Sequence, residues 1–410
     1  MRQSIGGMML KDQLLGRKEL WTKPFIITVI INFLAYTSTY IIMATIPLFV
    51  LHVGGSRFMA GVITGVFSFT GFLVRPLFGN LLDHKGRKTI LHIGNIVLLL
   101  VIIGYSIFPY ILILFILRIL QSIGWSALST ATNTIASDLI PPSRRFEGIG
   151  YFGISLSIAM AIGPALGLYI VEYYNYTILY AATALLIILT FFLGLFLKYD
   201  DKASPEKNMN AFSNTDKIKK INNKPLIYEK TAIPPSSIFF LVAITYSSIV
   251  TFVPLYAVSL GLKNIGLFFV MYALALLFTR PTAGQIADRI GPTKVILTGL
   301  VFLLIALLIL SEAASLQMFL IAGALYGFGY GCIHPVLNAL VIDFAPPERR
   351  GAANATFLAA NDIGLALGTI IWGLISQNIG FVYLYLFSPV LIVLSMIVYL
   401  LVVRHKITKI

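Results

Sequence analysis

The run "TILYAATALLIILTFFLGLFL", residues 177–197, carries no charge and is apolar on every side. Eleven other stretches of the chain are also predominantly apolar. Each is about 20 residues or longer, enough to cross the hydrocarbon of a bilayer as a helix. A membrane β-barrel would alternate apolar and polar residues, and these runs do not alternate. Mean hydropathy is +0.90 and only 11% of residues are charged. A soluble chain of 410 residues could not hide that much apolar surface in one core. The periodicity therefore predicts helices at 25–51, 58–81, 89–108, 110–138, 147–171, 177–197, 236–260, 265–287, 294–311, 315–343, 352–375 and 381–403. The fold class is an all-α polytopic membrane protein with twelve transmembrane helices.

Lys and Arg set the orientation. Of the 30 in the chain, 25 fall on one side of these spans, including five in the first 23 residues and eight in 198–230. Only Arg57 and Lys263 fall on the other side, while Arg75, Arg118 and Arg280 lie within spans. Both termini are thus expected in the cytoplasm of a cell bounded by this plasma membrane. The net charge of +14 follows from topology and attraction to anionic lipid, so no nucleic-acid partner is expected. The first apolar run is too long for a cleavable signal peptide and is expected to remain as a helix. The lone Cys332 excludes an internal disulfide and a Cys-based metal cage, and within its apolar run it reads as a small packing residue.

The segment 198–234 is polar and rich in Asn and Lys, without apolar periodicity. It reads as a cytoplasmic linker between an N-terminal six-helix half (1–197) and a C-terminal one (235–410). The halves repeat one another. Arg75, Asp83 and Gly86 recur 205 positions later as Arg280, Asp288 and Gly291. "DLIPPSRR" (138–145) recurs as "DFAPPERR" (343–350), and Gly163 as Gly368, at the same offset. "IPLFV" (46–50) matches "VPLYA" (253–257) at 207. An even number of spans per half makes the halves parallel and pseudo-symmetric, with a cavity expected between them near mid-membrane.

These motifs carry a resemblance. "GNLLDHKGRK" (79–88) is similar to the loop between helices 2 and 3 of the major facilitator superfamily, with Gly79, Asp83, Gly86, Arg87 and Lys88 matching. The second copy, from Gly284 to Lys294, has Pro292 where the first has Arg87. "LRILQSIGWSA" (117–127) resembles the helix-4 motif of the family's proton-coupled exporters at Arg118, Gln121 and Gly124, with Ser122 in place of a glycine. "GYFGISLSIAMAIGPALGL" (150–168) resembles their helix-5 motif at Gly150, Gly163, Pro164 and Gly167, with Ala159 and Leu168 where glycine is usual. The resemblance spans nearly the whole chain. It implies a monomeric secondary active transporter that exports small organic molecules by alternating access, coupled to protons and without a cofactor.

The same residues have physical roles. Gly79 and Gly284 allow close helix approach. Asp83 and Asp288, where helices meet the cytoplasm, can complement the start of another helix. By symmetry Asp83 is expected near Gly351 at the start of helix 11, and Asp288 near Glu147 at the start of helix 5. Such contacts would latch the cytoplasmic side. Arg118, Gln121, Ser122, Trp125, Ser129 and Asn133 form one polar stripe on helix 4, expected to line the cavity, with Arg118 a candidate for proton coupling. Asn32, Tyr36 and Tyr40 form a stripe on helix 1; Tyr326, Tyr330, His334 and Asn338 form one on helix 10; Tyr246 belongs to helix 7. Gly323, Gly327 and Gly331 read as a close-packing face.

Asp362 is the one carboxylate well inside a span, and such a carboxyl can carry a proton. His334 can also exchange a proton. Helix 1 has no carboxylate, whereas the family's exporters of cationic drugs often keep one in the early helices. The cavity would suit an amphiphile, a zwitterion or an anionic metallophore or siderophore; nutrient uptake is the alternative direction. No Walker-type phosphate loop, no H-E-x-x-H and no clustered histidines occur, which speaks against direct ATP drive, a metal site and an enzyme.

Overall fold

The computed structural model describes residues 19–141, 144–199, 228–346 and 349–404. Among them every regular element is helical, and twelve helices are long and apolar enough to cross a membrane. These are α1 (Lys23–His52), α2 (Arg57–Lys85), α3 (Arg87–Ile107), α4 (Ile111–Leu139), α5 (Arg145–Tyr173) and α6 (Tyr176–Phe196), then α7 (Ile233–Ser259), α8 (Gly266–Ile290), α9 (Pro292–Ser311), α10 (Leu316–Asp343), α11 (Arg350–Asn378) and α12 (Phe381–Val398). A π-helical turn, Tyr399–Val403, extends α12.

The predicted ends agree to within a few residues, and the differences have local causes. The α2 helix runs on through its polar end to Lys85 because Gly86 makes the whole turn into α3, at φ 86°. Gly291 does the same between α8 and α9, at φ 90°. Both are left-handed positions that residues with a Cβ rarely occupy. Elsewhere polar side chains cap the starts: Ser56 accepts from the Met59 N–H at 3.2 Å, and Asn175 from that of Ile178 at 2.9 Å.

The helices form two six-helix bundles with the same packing scheme. In the first, α1 lies on α5 and α6, α4 on α2 and α3, and α3 on α6. In the second, α7 lies on α11 and α12, α10 on α8 and α9, and α9 on α12. The bundles meet along α2 with α11 and along α5 with α8, again as a symmetric pair. The repeat extends to individual contacts. A Cβ on Gly94 would meet Leu128 and Gly124; one on Gly299 would meet Ile333 and Gly329, each 205 positions on. Gly163 sits against Thr37 and Tyr40 of α1, and Gly368 against Ile244 and Ser247 of α7, partners shifted by 207. In hydrocarbon, where apolar burial gives no drive to associate, such close backbone contact is what holds helices together.

The outer surface is apolar. Leu77, Leu112, Phe196 and Phe278 are 67–74% exposed, a surface that only lipid would cover without aggregation. The glycine contacts make a prediction. Gly94→Leu should destabilise the first bundle by about 1–3 kcal/mol through overpacking, read as a lower unfolding temperature in detergent. Gly284→Ala should leave that temperature unchanged, because a Cβ there would meet nothing within 4 Å.

Candidate functional site

A cavity of about 470 Å³ lies between the bundles. Residues related by the repeat line it from both sides: Arg75 with Arg280, Trp125 with Tyr330, and Ser129 with His334. The walls are aromatic. Tyr36 meets Trp125 edge to face at 4.6 Å between centroids, and Tyr246 stacks on Tyr330 at 4.9 Å. Tyr40, Ser122 and Asn133 also line it, as the stripes on α1 and α4 predict.

At one side of this cavity Arg75 of α2 donates to Asp362 of α11, Nη1 to Oδ2, at 2.6 Å. The Asp362 side chain is 7% exposed and that of Arg75 38%. Asn361 lies 3.4 Å from the other carboxylate oxygen. The pair joins the two bundles across 287 positions of sequence. A lone carboxylate at this depth would be costly, and the guanidinium offsets much of that cost. Sequence reasoning singled out both residues and missed the pairing. His334 shares the cavity, with its ring edge-on to Phe239 at 5.1 Å and to Phe357 at 5.7 Å.

Four expected cavity residues sit elsewhere. Arg118 is fully buried inside the first bundle, where Nη1 donates to Gln121 Oε1 at 2.7 Å. Tyr105 of α3 donates to the same oxygen at 2.9 Å. The Phe67 ring lies 4.5 Å from the Arg118 guanidinium and itself lines the cavity, so it screens Arg118 and Gln121 from that space. The polar stripe on α4 is continuous, but the cavity ends one turn short of it. Among the described residues Arg118 has no carboxylate partner either. Asn32 is buried and donates to Ser155 Oγ at 2.8 Å, tying α1 to α5. Asn338 also lies outside the cavity lining.

The motif residues divide similarly. Gly79 and Asp83 lie in α2, but the surroundings of Gly79 and the side chain of Asp83 are not among the described features. Gly86 and Gly291 are the positive-φ turns. Arg87, expected in the gate, is buried and pairs with Asp138 at the end of α4, 2.8 Å away, within one bundle. Tyr199 donates to the same carboxylate at 2.5 Å. Gly163 and Gly167 pack on α1, with Pro164 between them, and Gly150 faces open space.

Of the latch expected beside the basic segments, the Asp83 side chain lies outside the described residues, and Asp288 and Glu147 lie on the surface. Glu147 accepts from Arg144 at 2.7 and 2.8 Å, and a Cβ added at Gly284 or Gly351 would meet nothing within 4 Å. A symmetric latch does exist on the opposite face. There Gln377, at the end of α11, accepts from the N–H of Arg57, the first residue of α2, at 3.0 Å. Glu172, its equivalent at the end of α5, accepts from the Asn264 N–H before α8 at 2.8 Å. Arg57 also donates to the Ser376 carbonyl at 2.8 Å. These contacts tie the two bundles together at this face.

The predicted linker has an ordered end. Glu229 pairs with Arg349, and its own N–H donates to Thr356 of α11 at 2.9 Å. The Thr231 N–H, with Arg349 nearby, holds the Glu229 carboxyl below its usual range. Residues 200–227 of that linker lie outside the described residues.

Twelve spanning helices in two equivalent bundles with a cavity between them form the architecture of a membrane carrier of small solutes. The sequence model of the Major Facilitator Superfamily matches residues 28–264 and 238–409. The chain belongs to that superfamily; it is a multi-pass secondary transporter and not an enzyme. It is 24% identical over 384 residues to the staphylopine export protein of Staphylococcus aureus, covering 91% of this chain and 94% of that one. It is 26% identical over 371 residues to a multi-drug resistance efflux pump PmrA homolog of Lactococcus lactis, covering 88% and 90%. Among solved structures, a peptide transporter POT in complex with sulfate matches with a TM-score of 0.76 at 14% identity, covering 93% and 94% of the two chains. The nucleoside transporter NupG matches with a TM-score of 0.72 at 13% identity, covering 92% and 99%.

The latches predict a measurable shift. In a Cys332→Ala background with Thr39→Cys as reporter, Glu172→Ala combined with Gln377→Ala should loosen the closed face. An impermeant maleimide applied from that face should then react about tenfold faster. An unchanged rate would show that other contacts hold the closure.

Proposed function

We propose that this transporter is a proton-coupled exporter of small organic molecules in the cell membrane, acting as a monomer, with both termini and the basic segments in the cytoplasm. The two bundles extend over 1–197 and 235–410, joined by the linker 198–234. On this reading the structure is the inward-facing state. The observation that carries the proposal is the Arg75–Asp362 pair, which links the bundles inside a cavity closed on the far side. Relatives named for staphylopine export and multidrug efflux support the outward direction.

The mechanism follows from charge. With the cavity open to the cytoplasm, Asp362 loses its proton and the carboxylate is held by Arg75. Substrate enters against the tyrosines and Trp125. After the bundles rock, the Asp288 and Asp83 ends close the cytoplasmic side and the Gln377 and Glu172 latches release. The substrate leaves to the outside, and Asp362 takes a proton there, which breaks its ion pair with Arg75. Return with the protonated carboxyl carries that proton to the cytoplasmic side, where Asp362 releases it and pairs with Arg75 again. His334 is a second proton carrier in the same cavity. Arg118 acts as a positioning residue, holding α4 against α3 through Gln121 and Tyr105.

Everted vesicles test this, with an amphiphilic dye first identified by screening a deletion strain against toxic compounds and for secreted metabolites. Accumulation should require an acidic lumen, and Asp362→Asn should reduce gradient-driven accumulation at least about tenfold while leaving dye exchange at equilibrium intact. Accumulation driven by an acidic exterior would instead mark the protein as an uptake symporter.

A further inference from the structure

The repeat is kept in packing and broken in charge. Arg75 and Arg280 occupy equivalent positions on α2 and α8 and line the same cavity. The α2 helix packs on α11, and α8 packs on α5, its equivalent. The α11 position that serves Arg75 is Asp362. Its equivalent on α5, 205 residues earlier, is Ser157. Ser157 is buried and its hydroxyl donates to the Gly153 carbonyl of its own helix at 3.3 Å. Arg280 therefore has no carboxylate or hydrogen-bond acceptor among the described residues. The cavity lining holds two guanidinium groups and one carboxylate.

We propose that Arg280 is the anion subsite of the transport cavity, and that the substrates are small amphiphiles bearing a carboxylate or a comparable anionic group. The inference rests on the transporter reading above and names the substrate class of that site. A guanidinium inside a membrane is costly unless water or a counter-charge meets it. Lipid cannot reach this one, because it faces the space between the bundles. A carboxylate entering that space meets a planar donor fork able to hold both its oxygens. Tyr36, Tyr40, Tyr246 and Tyr330 line the same cavity as Arg280, so the anion would enter among hydroxyl-bearing side chains. Trp125 and the stacked tyrosines then cover an apolar or aromatic body. Arg75 does not compete for the anion while Asp362 holds it. The chain thus uses one member of the arginine pair between the bundles and leaves the other for cargo.

The test is equilibrium binding to the full-length protein purified in detergent, using dansylglycine and its neutral counterpart dansylglycinamide. The wild type should bind the carboxylate about tenfold more tightly than the amide. Arg280→Gln should erase that preference, and Arg280→Lys should keep part of it. Ser157→Asp, which supplies the missing carboxylate from α5, should erase it with Arg280 intact. Equal affinity of the wild type for both probes would overturn the proposal, as would a preference that survives both Arg280→Gln and Ser157→Asp. Unfolding temperature checks that each variant is folded, and either of the two charge-cancelling variants suffices. Binding does not depend on proton coupling or direction. A carboxylate preference without gradient-driven transport would therefore defeat the exporter reading and leave Arg280 as an anion site. Proton-driven transport indifferent to Arg280→Gln would do the reverse.

Discussion

Hydrocarbon offers a charged side chain no partner, and the interior of this protein is organised around that fact. Three arginines lie within the spans, and each is accommodated differently. Arg118 is sealed inside the first bundle on Gln121 and under the Phe67 ring. Arg75 is neutralised across the bundle interface by Asp362. Arg280 opens into the cavity. Two of the three solutions need the space between the bundles, so the cavity is where the membrane permits charge as well as where a substrate fits.

Duplication supplies the frame for this arrangement. Glycines at equivalent positions bring α3 onto α4 and α9 onto α10, then α5 onto α1 and α11 onto α7. These contacts repeat because packing geometry depends on the absence of a side chain, which both halves retain. Chemistry diverges where a side chain meets the cavity: Trp125 against Tyr330, Ser129 against His334, Ser157 against Asp362. The far-side latches show an intermediate case. Gln377 and Glu172 differ in charge, yet both accept a backbone N–H at the start of the facing helix. A backbone donor is present whatever the sequence, so this closure tolerates divergence that a side-chain pair would not.

The spans, the repeat and the superfamily were legible in the chain itself. Hydropathy is a local and additive property, and a helix that must satisfy its own backbone in lipid has little choice of form. The positive-φ turns at Gly86 and Gly291 were marked by motif, the cavity residues Tyr36, Tyr40, Ser122, Trp125, Ser129, Asn133, Tyr330 and His334 by polar spacing, and Asp362 as a carboxylate inside a span. The site was legible only where a polar stripe and the cavity share the same depth. Along α4 the stripe runs past the cavity, so Arg118 and Gln121 shared the signal without sharing the place. The Arg87–Asp138 pair and the Glu229–Arg349 anchor were invisible because hydropathy says nothing about which polar groups meet at a bundle's rim.

The sequence by itself determined twelve membrane-crossing helices in two equivalent halves, because lipid enforces length and apolarity residue by residue. Tertiary structure decided which charges meet, which bundle ends are tied together and which arginines face the cavity. Those outcomes depend on how far each side chain lies along and around its helix relative to a neighbour that can be 287 positions away, and no local pattern carries that distance.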